Sequence, residues 1–201
     1  MAAADPERQR IIVQAGSVAD SDEDRIDPNP AGLGLTGPEI RFIQAMAPMI
    51  TTPRVGTRLV NIYRMIRSTQ ATGGKSRFLD RSTGTGDYQA ILILLAIVSG
   101  FPDLAAPIVE ALLQASPGLS WPAFVDELLA REPARGDQGK AHREDWVRMG
   151  KALAAVRAKA QVPDGLTAYR EWALQVARFS FAAGHALSGA TASASATSVP
   201  Q

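Results

Sequence analysis

Apolar residues fall along this chain in blocks, and most blocks repeat at the three- and four-residue spacing of a helix surface. The first opens at Thr36. Glu39 stands three residues later with Pro38 between them, a capping-box arrangement that starts a helix and contributes roughly 1 kcal/mol. Ile40, Ile43, Ala47 and Ile50 follow at helical spacing, and Pro48 ends or bends the element. Thr52 and Pro53 start a second helix by the same logic, with Val55, Leu59, Ile62, Tyr63 and Ile66 as its apolar stripe. The third block, YQAILILLAIVSG after Asp87, has no polar face, so the element must be central. Periodicity cannot separate a buried helix from a strand in such a run. The helical neighbours, Asp87 as a starting cap and Gly100 as a terminal cap favour a helix.

Four further amphipathic segments complete the pattern. FPDLAAPIVEALLQA is a helix started by Pro102 and Asp103, and SWPAFVDELLARE is another, capped by Ser120 with Phe124, Leu128 and Leu129 inward. Trp146, Met149, Leu153 and Val156 set the face of a helix over 141–160, which the Pro163-Asp164-Gly165 turn ends. A last helix over about 166–183 carries Tyr169, Trp172, Ala173, Val176, Phe179 and Ser180. PARGDQGK at 133–140 reads as a linker, and the stretch after Thr69, QATGGKSRFLDRSTGTG, as a long polar loop. No alternating strand pattern occurs. The expectation is an all-α bundle of six or seven helices over 35–184. Before it, 1–34 reads as a disordered acidic leader with Asp20, Asp22, Glu23, Asp24 and Asp27, in which a short helix over Glu7 to Ala15 is the one local signal. After it, 185–201 reads as a disordered Ser/Ala/Thr-rich tail.

Composition narrows the chemistry. The 201 residues are one domain's worth of chain, and 46% hydrophobic content suffices for a sizeable core. Without cysteine there are no disulfides, thiolate nucleophiles or cysteine-held zinc, and two histidines do not make a histidine-rich metal site. The expected compartment is the cytoplasm. The start has no continuous apolar core of a secretory signal, and the greasiest run, Ala90 to Val98, is far short of a membrane span. Adjacent acids at Asp126–Glu127 and Glu144–Asp145 point different ways on their helices and read as solvated faces. His142 and His185 have no partner at a triad spacing. Trp146 and Trp172 read as core residues rather than base-stacking platforms.

Charge is where the chain is uneven. Net charge is only +1, yet between Ile40 and Leu79 there is no acid, while Arg41, Arg54, Arg58, Arg64, Arg67, Lys75 and Arg77 are all positive. Arg54, Arg58 and Asn61 stand at i, i+4 and i+7 of the second helix, on one face. Two readings stay open for that face. Its arginines cap carboxyl ends or pair with acids of a neighbouring helix, or they meet phosphate or an acidic surface from beside a helix N-terminus. The acidic leader folding back on it is a further arrangement. The GGKS at Gly73 to Ser76 resembles a phosphate loop, but Thr69 stands where the first glycine belongs, and neither a preceding strand nor a following helix is expected, so it reads as a basic surface loop.

TTPRVGTRLVNIYRMIRS resembles the helical segment that follows the nucleotide-binding core in bacterial KAP-like P-loop NTPases, relatives of the AAA+ group. Thr52, Pro53, Arg54, Arg58, Asn61, Tyr63, Arg64 and Arg67 carry the resemblance, which extends over 35–182. Gly56 and Thr57 depart from it where basic residues are usual. The resemblance implies a helical lid or regulatory module, with Arg54 as a sensor-like phosphate contact, Arg58 beside it, and Asn61, Arg64 and Arg67 on the contacting surface. It implies a P-loop ATPase core, or another protein, as partner. No Walker A or Walker B motif is present, so neither a phosphate cradle nor a magnesium site is available, and no catalysis is expected of the chain alone. ATP enters only through an assembly with such a core. The alternative is an adapter that binds nucleic acid or protein through the same basic stretch, against which aromatic residues there are sparse.

Overall fold

The computed structural model describes residues 34–71, 78, 85–116, 118–130 and 137–180. The acidic leader with its Glu7–Ala15 segment, the GGKS loop and the Ser/Ala/Thr-rich tail lie outside them. Seven helices carry the described chain: α1 (Gly37–Ala45), α2 (Pro53–Ala71), α3 (Asp87–Gly100), α4 (Pro102–Gln114), α5 (Trp121–Ala130), α6 (Asp137–Arg157) and α7 (Thr167–Ala177). A 3-10 turn, Ala47–Met49, joins α1 to α2. Among the described residues there is no strand, only an isolated antiparallel bridge between Ser120 and Gly165. The protein is all-α. None of these helices is long and apolar enough to cross a membrane.

The fold is organised around α3. From Tyr88 to Val98 every residue of this helix is buried, because apolar side chains occupy its whole circumference and each needs a neighbour. Helix α7 packs on it most extensively, α2 and α4 flank it, and α1 and the 3-10 turn cover the remainder. Each fully buried Leu or Ile contributes about 1.5–3 kcal/mol, which makes α3 the energetic centre. Aromatic rings add to this packing: Trp121 of α5 stacks on Tyr169 of α7 with centroids 3.9 Å apart, and Phe42 of α1 meets Tyr88 of α3 edge-on at 5.8 Å.

Several details differ from the sequence expectation. In α1 the buried side chains are Glu39 and Phe42, followed by Met46 and Met49, whereas Ile40 is 43% exposed. Two causes are visible. Glu39 is drawn inward by its hydrogen bonds, which turns Ile40 out, and the tighter turn at Ala47–Met49 breaks the helical phase of Ala47 and Ile50. Gly86, not Asp87, is the cap of α3; its φ of 157° suits glycine, and Asp87 lies in the first turn accepting a hydrogen bond from Trp172 Nε1 at 3.2 Å. Leu129 is partly exposed, lying over Gly150 of α6. Helix α6 starts at Asp137, inside the expected linker, and α7 ends at Ala177, followed by a turn rather than continued helix.

Phe78 is the largest surprise. It stands in a stretch that reads as polar loop, yet its ring is buried, stacked on Tyr63 at 6.0 Å and edge-on to Trp172 at 6.3 Å. Its carbonyl accepts from Tyr88 N–H at 3.2 Å.

Gly100 is required for a reason other than chain reversal. It closes α3 as an ordinary helical residue, with Phe101 as the cap. A Cβ built there would stand 2.8 Å from the carbonyl oxygen of Met49, so the end of α3 and the 3-10 turn touch backbone to backbone. Gly100→Ala gains about 1 kcal/mol of helix propensity but forces two main chains apart, a strain of about 1–3 kcal/mol. Urea titration should show net destabilisation, whereas Gly118→Ala, with nothing within 4 Å of its Cβ, should not meet that clash. A stabilised Gly100→Ala would refute the close approach.

Candidate functional site

Helix α2 starts cleanly: Thr52 Oγ1 accepts from Val55 N–H at 3.2 Å, and Pro53 occupies the first turn. Leu59, Tyr63 and Ile66 are buried and bind the helix to the core, with Val55 and Ile62 half-buried beside them. The opposite side carries Arg54, Arg58 and Asn61, all exposed. The structure thus brings these three together on one outward face.

They are not equivalent. Arg58 Nη2 donates to the carbonyl oxygen of Phe179 at 2.7 Å, just past the end of α7, where unpaired carbonyls and the negative end of the helix dipole favour a cation. Arg58 is therefore a C-terminal clamp on α7 as well as a surface charge. Among the described residues neither Arg54 nor Asn61 has a side-chain hydrogen bond or ion pair. Arg64 is half-buried on the flank of the helix.

Arg67 faces a different way, toward α1, where it meets Glu39. That carboxylate is fully buried, and both its oxygens are occupied. Oε2 accepts from Thr36 N–H at 2.6 Å, the return half of a capping box, and from the Thr36 hydroxyl at 2.7 Å; Oε1 accepts from Arg67 Nε at 2.7 Å and from the Tyr63 hydroxyl. Burial pushes the Glu39 carboxyl upward, but the four donors, Tyr63 foremost, outweigh it and hold the group below its ordinary range. Burial, and then the hydrogen bond to Glu39, raise the Tyr63 phenol far above its usual value, so it stays a donor. One anion, one cation and one phenol thus join α1 to α2. Sequence spacing had placed Glu39 only as a cap; the signal for more was Tyr63 and Arg67 standing at i and i+4.

Elsewhere the described surface includes two clefts that share the 161–164 segment. The larger, of about 320 Å³, lies between that segment and the start of α3, and is lined by Gly86, Asp87, Gln89, Gln161 and Asp164 among others. Its buried floor, Gln89, donates from Nε2 to the carbonyl of Gln161 at 2.8 Å and accepts from Gly86 N–H at 3.4 Å. The smaller, of about 160 Å³, contains Arg157 and Trp121. Asp126, Glu127 and Glu144 are exposed, and Asp145 pairs with Arg148 at 2.8 Å on the surface. Trp172 is buried and Trp146 half-buried. Among the described residues no group of three or more His, Asp or Glu side chains converges as a metal site.

No family model, curated protein or solved structure matches this chain.

Proposed function

We propose that this chain is a non-catalytic helical docking module that binds an anionic partner through the N-terminal half of α2, the partner being the core of a P-loop ATPase. The observation that carries the reading is the shared exposure of Arg54, Arg58 and Asn61 on one face, with no acidic side chain of the described residues paired to either arginine. An unneutralised guanidinium pair beside a helix N-terminus favours phosphate or carboxylate, and a fork of donors binds either one bidentately. Arg67 supports the reading from behind, fixing α2 on α1 through Glu39 rather than joining the outward face.

Arg54 and Arg58 should separate in the test. The Arg54 side chain is exposed and forms no ion pair among the described residues, so Arg54→Ala should unfold within about 0.5 kcal/mol of the parent. Arg58→Ala also removes the clamp on Phe179 and should cost about 0.5–1 kcal/mol of stability. Each should weaken binding to the ATPase core by about 1.5–3 kcal/mol, the worth of a charge-assisted contact, and reduce its nucleotide turnover. The chain alone should give no ATP hydrolysis above a blank. An Arg54→Ala variant that binds the core as the parent does would remove the reading. Oligonucleotide binding that collapses steeply with salt and with Arg54→Ala would replace the partner by nucleic acid.

A further inference from the structure

The outward face of α2 does not end where its positive charge does. Met65 follows Asn61 by four residues and is 48% exposed, although its neighbours Tyr63 and Ile66 are buried. At about 100° per residue Arg54, Arg58, Asn61 and Met65 fall within an arc of roughly 60°, and at 1.5 Å rise Met65 stands about 16 Å along the axis from Arg54. The face is a straight line of two cations, an amide and a thioether.

We propose that this line is a seam for an acidic amphipathic helix of another protein, which sets two carboxylates one turn apart on Arg54 and Arg58 and an apolar side chain on Met65. The inference rests on the docking reading of the basic face, though not on an ATPase as the partner. Charge complementarity comes first: no acid occurs between Ile40 and Leu79, and Glu39, an acid that touches α2, is saturated on the opposite side of the helix. Arg54 and Arg58 are one turn apart, as are residues i and i+4 of a helix laid alongside, so each guanidinium can meet one carboxylate. Arg58 gives one of its five N–H donors to Phe179, which steadies the fork and leaves the others for a partner.

Met65 decides the class of partner. Arginine and methionine are enriched together in protein interfaces, and an exposed thioether in line with them suits an apolar side chain. A nucleic acid would leave Met65 without a role and would seek exposed rings. The nearest ring, Tyr63, is interior, stacked on Phe78 and bonded to Glu39.

The test is selection of a displayed library of helical peptides on the full chain. Recovered helices should carry Glu or Asp pairs four residues apart with an apolar residue about seven positions from the pair. Their binding should weaken about tenfold or more with Arg54→Glu and with Met65→Gln. It should be unchanged by Leu174→Gln, which alters an exposed apolar residue of α7. Arg54→Glu should recover binding to a peptide whose facing glutamate is changed to lysine. Recovery of no helix, of helices without that spacing, or of helices indifferent to Met65→Gln overturns the seam. A single-stranded oligonucleotide that competes fully and is also indifferent to Met65→Gln overturns it too, while loss of its binding with Arg54→Ala leaves a basic docking face standing.

Discussion

Leu94→Asp should abolish the folded state. Leu94 is 1% exposed in a helix buried on every side, so a carboxylate there is cut off from water. The substitution loses about 1.5–3 kcal/mol of leucine burial and adds several kcal/mol for a polar group without a partner. Together these are comparable with the roughly 5–15 kcal/mol of net stability that a domain of this kind commonly has. Far-ultraviolet circular dichroism should show loss of cooperative melting, whereas Arg54→Ala should melt as the parent does. A Leu94→Asp protein with a sharp transition within a few degrees of the parent would show that α3 is not central. Equal collapse of Arg54→Ala would make that arginine an internal strut.

The second large effect is expected at Glu39. Its carboxylate compensates Arg67, which is only 16% exposed, and removing it takes a charge-assisted acceptor from a mostly buried guanidinium. Glu39→Gln should cost about 3 kcal/mol, since breaking one side of a buried pair is more damaging than losing the pair. The double change Glu39→Gln with Arg67→Met should recover part of the loss. Tyr63→Phe removes one neutral donor and should cost only about 1 kcal/mol. The acid limb follows in sign. Glu39 is held below the ordinary carboxylate range in the folded protein, so its contribution is complete above that ordinary range and lost as pH falls through the lower folded value. Urea midpoints measured from pH 7 down to pH 3 should therefore fall more steeply in the parent than in Glu39→Gln. Parallel curves would mean that Glu39 contributes nothing to acid lability. Tyr63 adds nothing to this acid limb, because the phenol is protonated in both the folded and the unfolded chain over that range.

Much of the fold was legible in residue order alone. The all-α class, the start of α1 at Thr36, the start of α2 at Thr52–Pro53 and the centrality of α3 all follow from local signals. A cap involves residues three apart, and an apolar circumference needs no knowledge of what surrounds it. Burial of Leu59, Tyr63, Ile66, Met149, Leu153, Val156, Tyr169 and Trp172 was legible for the same reason, since a stripe at helical spacing has one side to hide.

Tertiary structure decided what depends on partners distant in the chain. The carboxylate of Glu39 reads as a cap in sequence, but Tyr63 and Arg67, 24 and 28 residues away, make it a buried joint and turn Ile40 outward. Phe78 reads as loop because its neighbours are polar, yet Tyr63 and Trp172 provide the place where its ring is buried. Gly100 reads as a terminator and proves to be a backbone contact with Met49. The same holds for the basic residues of α2. Their spacing put Arg54, Arg58 and Asn61 on one face, but only packing assigned Arg58 to the end of α7 and Arg67 to Glu39, because the acceptor for a guanidinium is chosen by which helices meet.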